Sequence, residues 1–353
     1  MRTIVILLLA AVAAAAQDAA PAPAGSVQPA DIPSPEGRKS AKDGTAWLLQ
    51  VQHADGWWGE EPGLPPDVAC TAMSGLAILS AGETAREGKA RAAVDRATTW
   101  VAGQARKTRR GWSIQTRPSN LTTYLGGRIH DYLACAFLAE SCGMLPDLSQ
   151  DDDVRSGLRV LIDRIEKSQL EDGSWNDGVE PLDTTAIAYV ALRAAHNAGF
   201  SVRRASLEKT VTYVEKRFDT ARGVLSDPRY GDKERFTSTA GALRVLMGLG
   251  RETGDPAKLA IAILRRQPFG RDYGDLVSGE DFFGGVLGAH AMALEDGEAW
   301  HEVFGKLQRV LVDCQNADGS WTGHHCISAR VFCTACAVVT LEAPFRFLPM
   351  QQL

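Results

Sequence analysis

The densest group of metal-type side chains in this 353-residue chain is His324-His325-Cys326, followed by Cys333 and Cys336. Imidazole and thiolate are the ligands zinc prefers, and a structural zinc takes four of them. Cys333 and Cys336 stand three apart, so on a helix they share a face. The spacing matches no established zinc pattern, and three arrangements fit: a zinc-type site, a disulfide such as Cys326–Cys333, or a polar turn followed by small buried thiols. The chain has seven cysteines, an odd number, so at least one thiol stays unpaired or serves elsewhere. No cofactor is expected beyond zinc at this cluster.

A second set of residues is suited to acid–base work or to ligand contact. Asp67, His130, Asp131, Asp183 and Asp281 are the candidates for catalysis, and Glu280 and His290 for the rim of a cavity. All are placed with helical segments rich in Ala, Gly and Thr. A carboxylate at such a helix start accepts hydrogen bonds from free amides as an N-cap. Buried without a partner, it would instead hold its proton and act as an acid. No Gly-rich phosphate loop, nucleophile elbow or two-His metalloprotease motif occurs.

These residues are positioned by a repeat. Gln-x-x-Asp-Gly-x-Trp is spelled at 52–58, 169–175 and 315–321. Each copy closes an amphipathic segment and precedes a segment that is apolar nearly all round, the mark of a buried helix. Gly reverses the chain, Asp can bond turn amides, Gln can satisfy carbonyls left open at a helix end, and Trp packs on a neighbouring unit. Gly111-Trp112 reads as a degenerate copy. Thr-Ala recurs at 71–72, 185–186, 239–240 and 334–335, always in the buried segment. Six such helix pairs result, at a period of roughly 45 to 60 residues, and no β-strand is required. A solenoid needs atypical capping repeats at its ends, whereas here the first and last units fit the repeat best. The fold expected is therefore an all-α ring of six hairpins, with an inner barrel of buried helices. Closure would bring Cys70 near Cys333 and Cys336.

Gly44-x-x-Trp47-Leu48-x-x-x-Gln52-x-x-x-Gly56-x-Trp58 resembles the QW repeat of squalene–hopene cyclases and protein prenyltransferase β-subunits. The resemblance spans roughly residues 40 to 345 and implies an α6/α6 toroid around a central cavity. It also implies an apolar ligand, an isoprenoid in those families. Their chemistry is harder to place. The Asp-x-Asp-Asp acid of the cyclases has only Gln150-Asp151-Asp152-Asp153 as a counterpart, with Gln where the first Asp belongs. The Asp/Cys/His zinc site of the transferases finds Asp281-Phe282-Phe283 and Phe332-Cys333-Thr334 instead. The resemblance thus points to a toroid that binds a ligand without the family's catalysis. The alternative is an active cyclase- or transferase-like enzyme with a non-standard acidic or metal site.

Arg2, the apolar run Ile4 to Ala15 and Ala14-Ala15-Ala16 read as a secretory leader over 1–16. The run is shorter than the ~20 apolar residues of a membrane span. Residues 17–36 read as an Ala/Pro-rich tether and 37–348 as the toroid, so the protein is expected to be secreted or periplasmic. The formal charge of -5 becomes -6 once Arg2 leaves with the leader, and no basic run suggests nucleic acid.

Overall fold

The computed structural model describes residues 32–107, 114, 115, 117, 119–176, 181–267, 269, 277–295 and 297–351. The stretches read as leader and as tether up to residue 31, and Gly111-Trp112, lie outside the described residues.

Six outer–inner helix pairs follow one another along the chain. They are α1 (Pro35–Gln50) with α2 (Val68–Ser80), and α3 (Arg91–Lys107) with α5 (Ile129–Ser141), a short α4 (Asn120–Leu125) intervening. Next come α6 (Leu148–Lys167) with α7 (Pro181–Asn197), and α8 (Arg204–Glu215) with α9 (Phe236–Met247). The last are α10 (Asp255–Arg266) with α11 (Gly279–Glu295), and α12 (Glu298–Asp313) with α13 (Arg330–Glu342). Each inner helix packs on the next, and α13 packs back on α2, so the ring closes. This is the all-α toroid that the repeat implies. Every residue of α2 and of α5 is buried, because an inner helix faces an outer helix on one side and the barrel on the other. Small residues permit close approach: a Cβ on Gly75 would lie 2.3 Å from the Phe137 ring.

The Gln-x-x-Asp-Gly-x-Trp turns are joints to the following unit. Gln52 Nε2 donates to its own Gly56 carbonyl and to Ala93 O of the next outer segment, both at 3.0 Å. Gln169 does the same to Gly173 O at 3.0 Å and Ser206 O at 2.9 Å. Gln315 bonds Gly319 O at 2.9 Å and Ser40 O at 3.0 Å, and Ser40 belongs to the first outer helix. Gly319 has φ +90°, and a Cβ there would lie 2.9 Å from Asp43 O. The indole N–H of Trp58, Trp175 and Trp321 donates back to the outer helix, at Leu48, Ile165 and Leu311, over 2.7 to 2.8 Å. The Thr of three Thr-Ala pairs meets each Trp backbone: Trp58 N–Thr71 Oγ1 3.0 Å, Trp175 N–Thr185 Oγ1 3.0 Å and Trp321 N–Thr334 Oγ1 2.9 Å. Across the seam, Glu60 O accepts from Val331 N at 3.1 Å and Glu61 Oε1 from Arg330 N at 2.9 Å, capping α13 from the first unit.

Three details differ from expectation. Helix α1 begins at Pro35 behind a Ser34 cap, so the last two residues of the stretch read as tether are helical. Helix α8 stops at Glu215, and a two-residue antiparallel pair follows, β1 (Phe218–Asp219) with β2 (Val224–Leu225). Asp219 drives that turn by accepting from Arg222 N at 3.0 Å. After α13, 3₁₀ turns at Ala343–Phe345 and Pro349–Gln351 carry the chain under the barrel, where Leu348 and Met350 are buried.

Candidate functional site

The inner helices run in parallel, so their N-termini share one end of the barrel, the end at which the Gln-x-x-Asp-Gly-x-Trp turns lie. Asp67 caps α2 there, its Oδ1 accepting from Cys70 N at 2.8 Å. Its Oδ2 lies 3.0 Å from His130 Nε2 on α5. Both side chains are buried. Burial alone would raise the Asp67 carboxyl, but the hydrogen bond and charge of His130 and the Cys70 amide hold it below its ordinary value. This pair ties α2 to α5 while keeping a carboxylate ionised. His130 Nδ1 is buried with no partner among the described residues.

Asp131, next in sequence, turns outward to Arg164 of α6, which donates from Nη2 at 2.9 Å and Nε at 3.2 Å. Burial still leaves its carboxyl raised, with Arg164 opposing. On the far side of the mouth, Arg235 reaches four partners, the first being Ser238 Oγ, to which Nη1 donates at 3.1 Å. Its Nη2 donates to Glu280 Oε1 at 2.5 Å, its Nη1 lies 3.6 Å from Asp183 Oδ2, and its guanidinium covers the Tyr230 ring at 4.5 Å. Asp183 is fully buried, and Arg235 is a cation beside it. Asp281 accepts from Thr237 Oγ1 at 3.2 Å. The five carboxylates thus lie at the starts of inner helices, each engaged in a cap, an ion pair or a hydrogen bond.

His290 sits elsewhere. It lies well along α11, 1% exposed, against a small cavity on the barrel axis. Burial, and then the charge of Arg244, hold its imidazole neutral with a pKa lowered to about 3. Periodicity could not separate axis from rim on a helix buried nearly all round.

The His/Cys cluster does not assemble. Among the described residues no three His, Cys, Asp or Glu side chains are placed to hold a metal ion. Nor does the disulfide form, since all seven thiols are free. Cys326 Sγ lies 3.0 Å from Ser278 Oγ and accepts from Glu280 N at 3.3 Å, while Cys333 Sγ donates to Ile327 O at 3.8 Å. His324 bridges to Ser278 through its backbone, and His325 takes a left-handed turn at φ 71°. Burial raises the Cys70, Cys333 and Cys336 thiols, which therefore stay protonated.

Two cavities bear on function. A cleft of about 490 Å³ opens at the mouth beside Asp67, walled by Leu64, Pro65 and Pro66 on its apolar side and by Glu60, Gln115 and Asn120 on its polar side. Glu60 Oε1 and Asn120 N are bonded at 2.7 Å, which fixes the floor. The axial cavity by contrast measures about 20 Å³, lined by residues such as Tyr132, Phe283, His290, Leu348 and Met350. That is room for about one water. Arg164, Arg235 and the 60–66 loop carried no recognisable motif; the only available signal was an Arg just before an inner helix.

No protein-family model matches the chain, and no curated protein matches it either. Solved structures do. A glycosidase in complex with glucose aligns at TM-score 0.56 and 15% identity, covering 89% of this chain and 98% of its own. An α-1,6-mannanase from Salegentibacter aligns at TM-score 0.56 and 11% identity, covering 88% and 99%. A type II terpene cyclase from Scytonema reaches TM-score 0.40 at 14% identity over 89% and 99%, too low to carry an argument. The likeness to the first two establishes the α/α toroid and nothing finer. No described helix is long and apolar enough to cross a membrane.

Proposed function

We propose that this toroid binds a small amphiphilic molecule in the mouth cleft and does not perform the alkene protonation or zinc–thiolate chemistry of the enzymes whose repeat it resembles. The cleft carries the reading: about 490 Å³ of space with an apolar wall at Leu64 to Pro66 and polar groups at Glu60, Gln115 and Arg117. That volume falls within the range of small-molecule sites. An apolar body would cover the prolines, and a hydroxyl end would face the polar wall, which Arg117 and Ser119 share with Glu60. An isoprenoid alcohol satisfies both halves, and the repeat's resemblance favours that class. The leader would have the protein meet its ligand outside the cytoplasm.

The acid triplet supports a binding role. It begins the outer helix α6, where Asp151 Oδ1 accepts from Gly143 N at 2.5 Å and Asp153 pairs with Arg106 at 2.5 Å. Asp152 is exposed. A strong acid needs a desolvated carboxyl, and none of the three has one aimed into the barrel.

A second reading rests on one observation: Glu60 and Asp67 line the same cleft. Paired carboxylates are what glycoside hydrolysis requires, and the fold is shared with glycosidases. Calorimetric titration of the mature protein with isoprenoid alcohols and with oligosaccharides separates the two. Saturable binding of an isoprenoid alcohol, lost in Leu64→Asp, is expected. Sugar release from an oligosaccharide would replace this reading with the second, and silence from both panels at millimolar ligand would end it.

A further inference from the structure

The end of the barrel opposite the mouth is closed by residues 348–351, and the manner of closing is specific. The peptide group of Met350 is held at both poles. Its N–H donates to both carboxyl oxygens of Glu140, at 3.0 and 3.2 Å, and its carbonyl accepts from Arg244 Nη2 at 2.5 Å. Glu140 comes from the last turn of α5 and Arg244 from α9, and each is 3% exposed. Gln351 folds back, its Oε1 accepting from Leu348 N at 3.1 Å. Asn197 at the end of α7 donates to Pro349 O at 3.4 Å. The side chains of Leu348 and Met350 point at the axial cavity beside His290.

A buried Glu and a buried Arg are costly in a barrel floor unless something engages them. What engages them is a length of backbone, and backbone is common to all peptides. Two apolar side chains fill the recess above it. Burial pushes the Glu140 carboxyl up to about 8, against the opposing influence of the Met350 amide and Arg244. In that neutral state it still accepts from the amide.

The approach to this segment resembles a hinge. Arg346 has the left-handed φ of 53°, and its flanking residues Phe345 and Phe347 are 42% and 55% exposed. The two rings stack on each other at 5.8 Å outside the core. Residues up to Arg346, whose guanidinium donates to Ala293 O of α11, belong to the ring, and residues 347–351 reach the floor through the contacts just described.

We propose that the barrel floor is a peptide-binding site, filled in cis by residues 348–351 as an exchangeable stopper. Recognition is by the Glu140–Arg244 clamp on the backbone and by the recess for two alternate apolar side chains. Release of the stopper would open the axial cavity around His290, whose Nε2 has no partner among the described residues. This site stands apart from the mouth cleft, and its fate does not depend on what binds there.

The test keeps the whole chain. A protease site inserted between Arg346 and Phe347 is cut in the folded protein, leaving the peptide from Phe347 onward bound without covalent connection. The expected result is that a labelled synthetic copy of that peptide exchanges into the nicked protein saturably, one per chain. Glu140→Leu should weaken its binding roughly tenfold, through loss of the amide's acceptor. Glu140→Gln, which keeps an acceptor carbonyl, should bind nearly as wild type. Two outcomes would overturn the proposal: a nicked, folded protein that never exchanges its peptide over days, or one that loses the peptide and does not rebind it. Equal affinity in Glu140→Leu would refute the clamp.

Discussion

Gln315 donates its side-chain amide to the carbonyl of Ser40 at 3.0 Å, across 275 residues of sequence. Gln52 and Gln169 make the same bond to the unit that follows them. The last unit therefore treats the first as its successor, and the seam of the ring is built like any interior joint.

Removing that amide tests closure. Gln315→Ala leaves the Ser40 and Gly319 carbonyls without their donor, and partly buried hydrogen bonds of this kind are worth about 1 kcal/mol each. A loss of roughly 2 kcal/mol is expected, similar to that of Gln52→Ala. Urea denaturation measures both, and an unchanged slope would confirm that only stability moved. A much smaller loss at Gln315 would mean the seam is open in solution.

Gly319 and Gly63 share a left-handed backbone, at φ +90° and +83°, but differ in surroundings. A Cβ on Gly63 meets nothing within 4 Å, whereas on Gly319 it meets Asp43 O at 2.9 Å. Gly63→Ala should cost about 1 to 2 kcal/mol for the backbone alone. Gly319→Ala should cost about 3 kcal/mol or more, because α1 must also retreat. Thermal melts of the two variants give the difference directly.

Stability should fall with rising pH on account of Glu140. Its folded pKa of about 8 stands above the ordinary 4.5, so between those values the folded protein keeps a proton that the unfolded chain has released. The loss begins above pH 4.5 and is complete above about 8. Its size is on the order of a few kcal/mol. Glu342, raised by burial to about 7, acts in the same direction. His290 acts oppositely: lowered to about 3, it costs stability as pH falls from 6.5. Denaturation at pH 5 and pH 9 should show a smaller alkaline loss in Glu140→Gln than in wild type. Parallel curves would show that Glu140 titrates normally.

Thiol labelling bears on the cysteines. Cys142 and Cys314 are half-buried and the other five are buried. A maleimide should modify no more than those two in the folded protein and all seven after denaturation without reductant. Five or fewer in the denatured protein would reveal a disulfide. Cys314, its thiol pushed up to about 12 chiefly by burial, should react more slowly than its exposure suggests.

How far the sequence could be read depended on whether a residue's partner was local. Gly56, Gly173 and Gly319 declare a turn by themselves, and Trp58, Trp175 and Trp321 bond the helix just before them, so the repeat and its inner–outer alternation were legible. Asp67 was legible as a cap for the same reason. Arg235 was not, because Asp183, Tyr230 and Glu280 come from three different places and meet only after folding. Cys326 and Cys333 stand as free thiols with partners of their own, Ser278 and Ile327, which spacing does not give. Residues 348–351 have no period at all, and their fit under the barrel depends on Glu140 and Arg244, each of which looks like an ordinary charge on a helix.

Closure of the ring removes something that stacked repeats have, namely a first and a last member. An open stack can unzip from either tip, one unit at a time, while its middle remains intact. Here Glu60 and Glu61 hold α13 while Gln315 holds α1, so neither terminal helix can peel away without breaking the other's contacts. Amide protons of α1 and α13 should accordingly exchange as slowly as those of α7, and the barrel should come apart all at once.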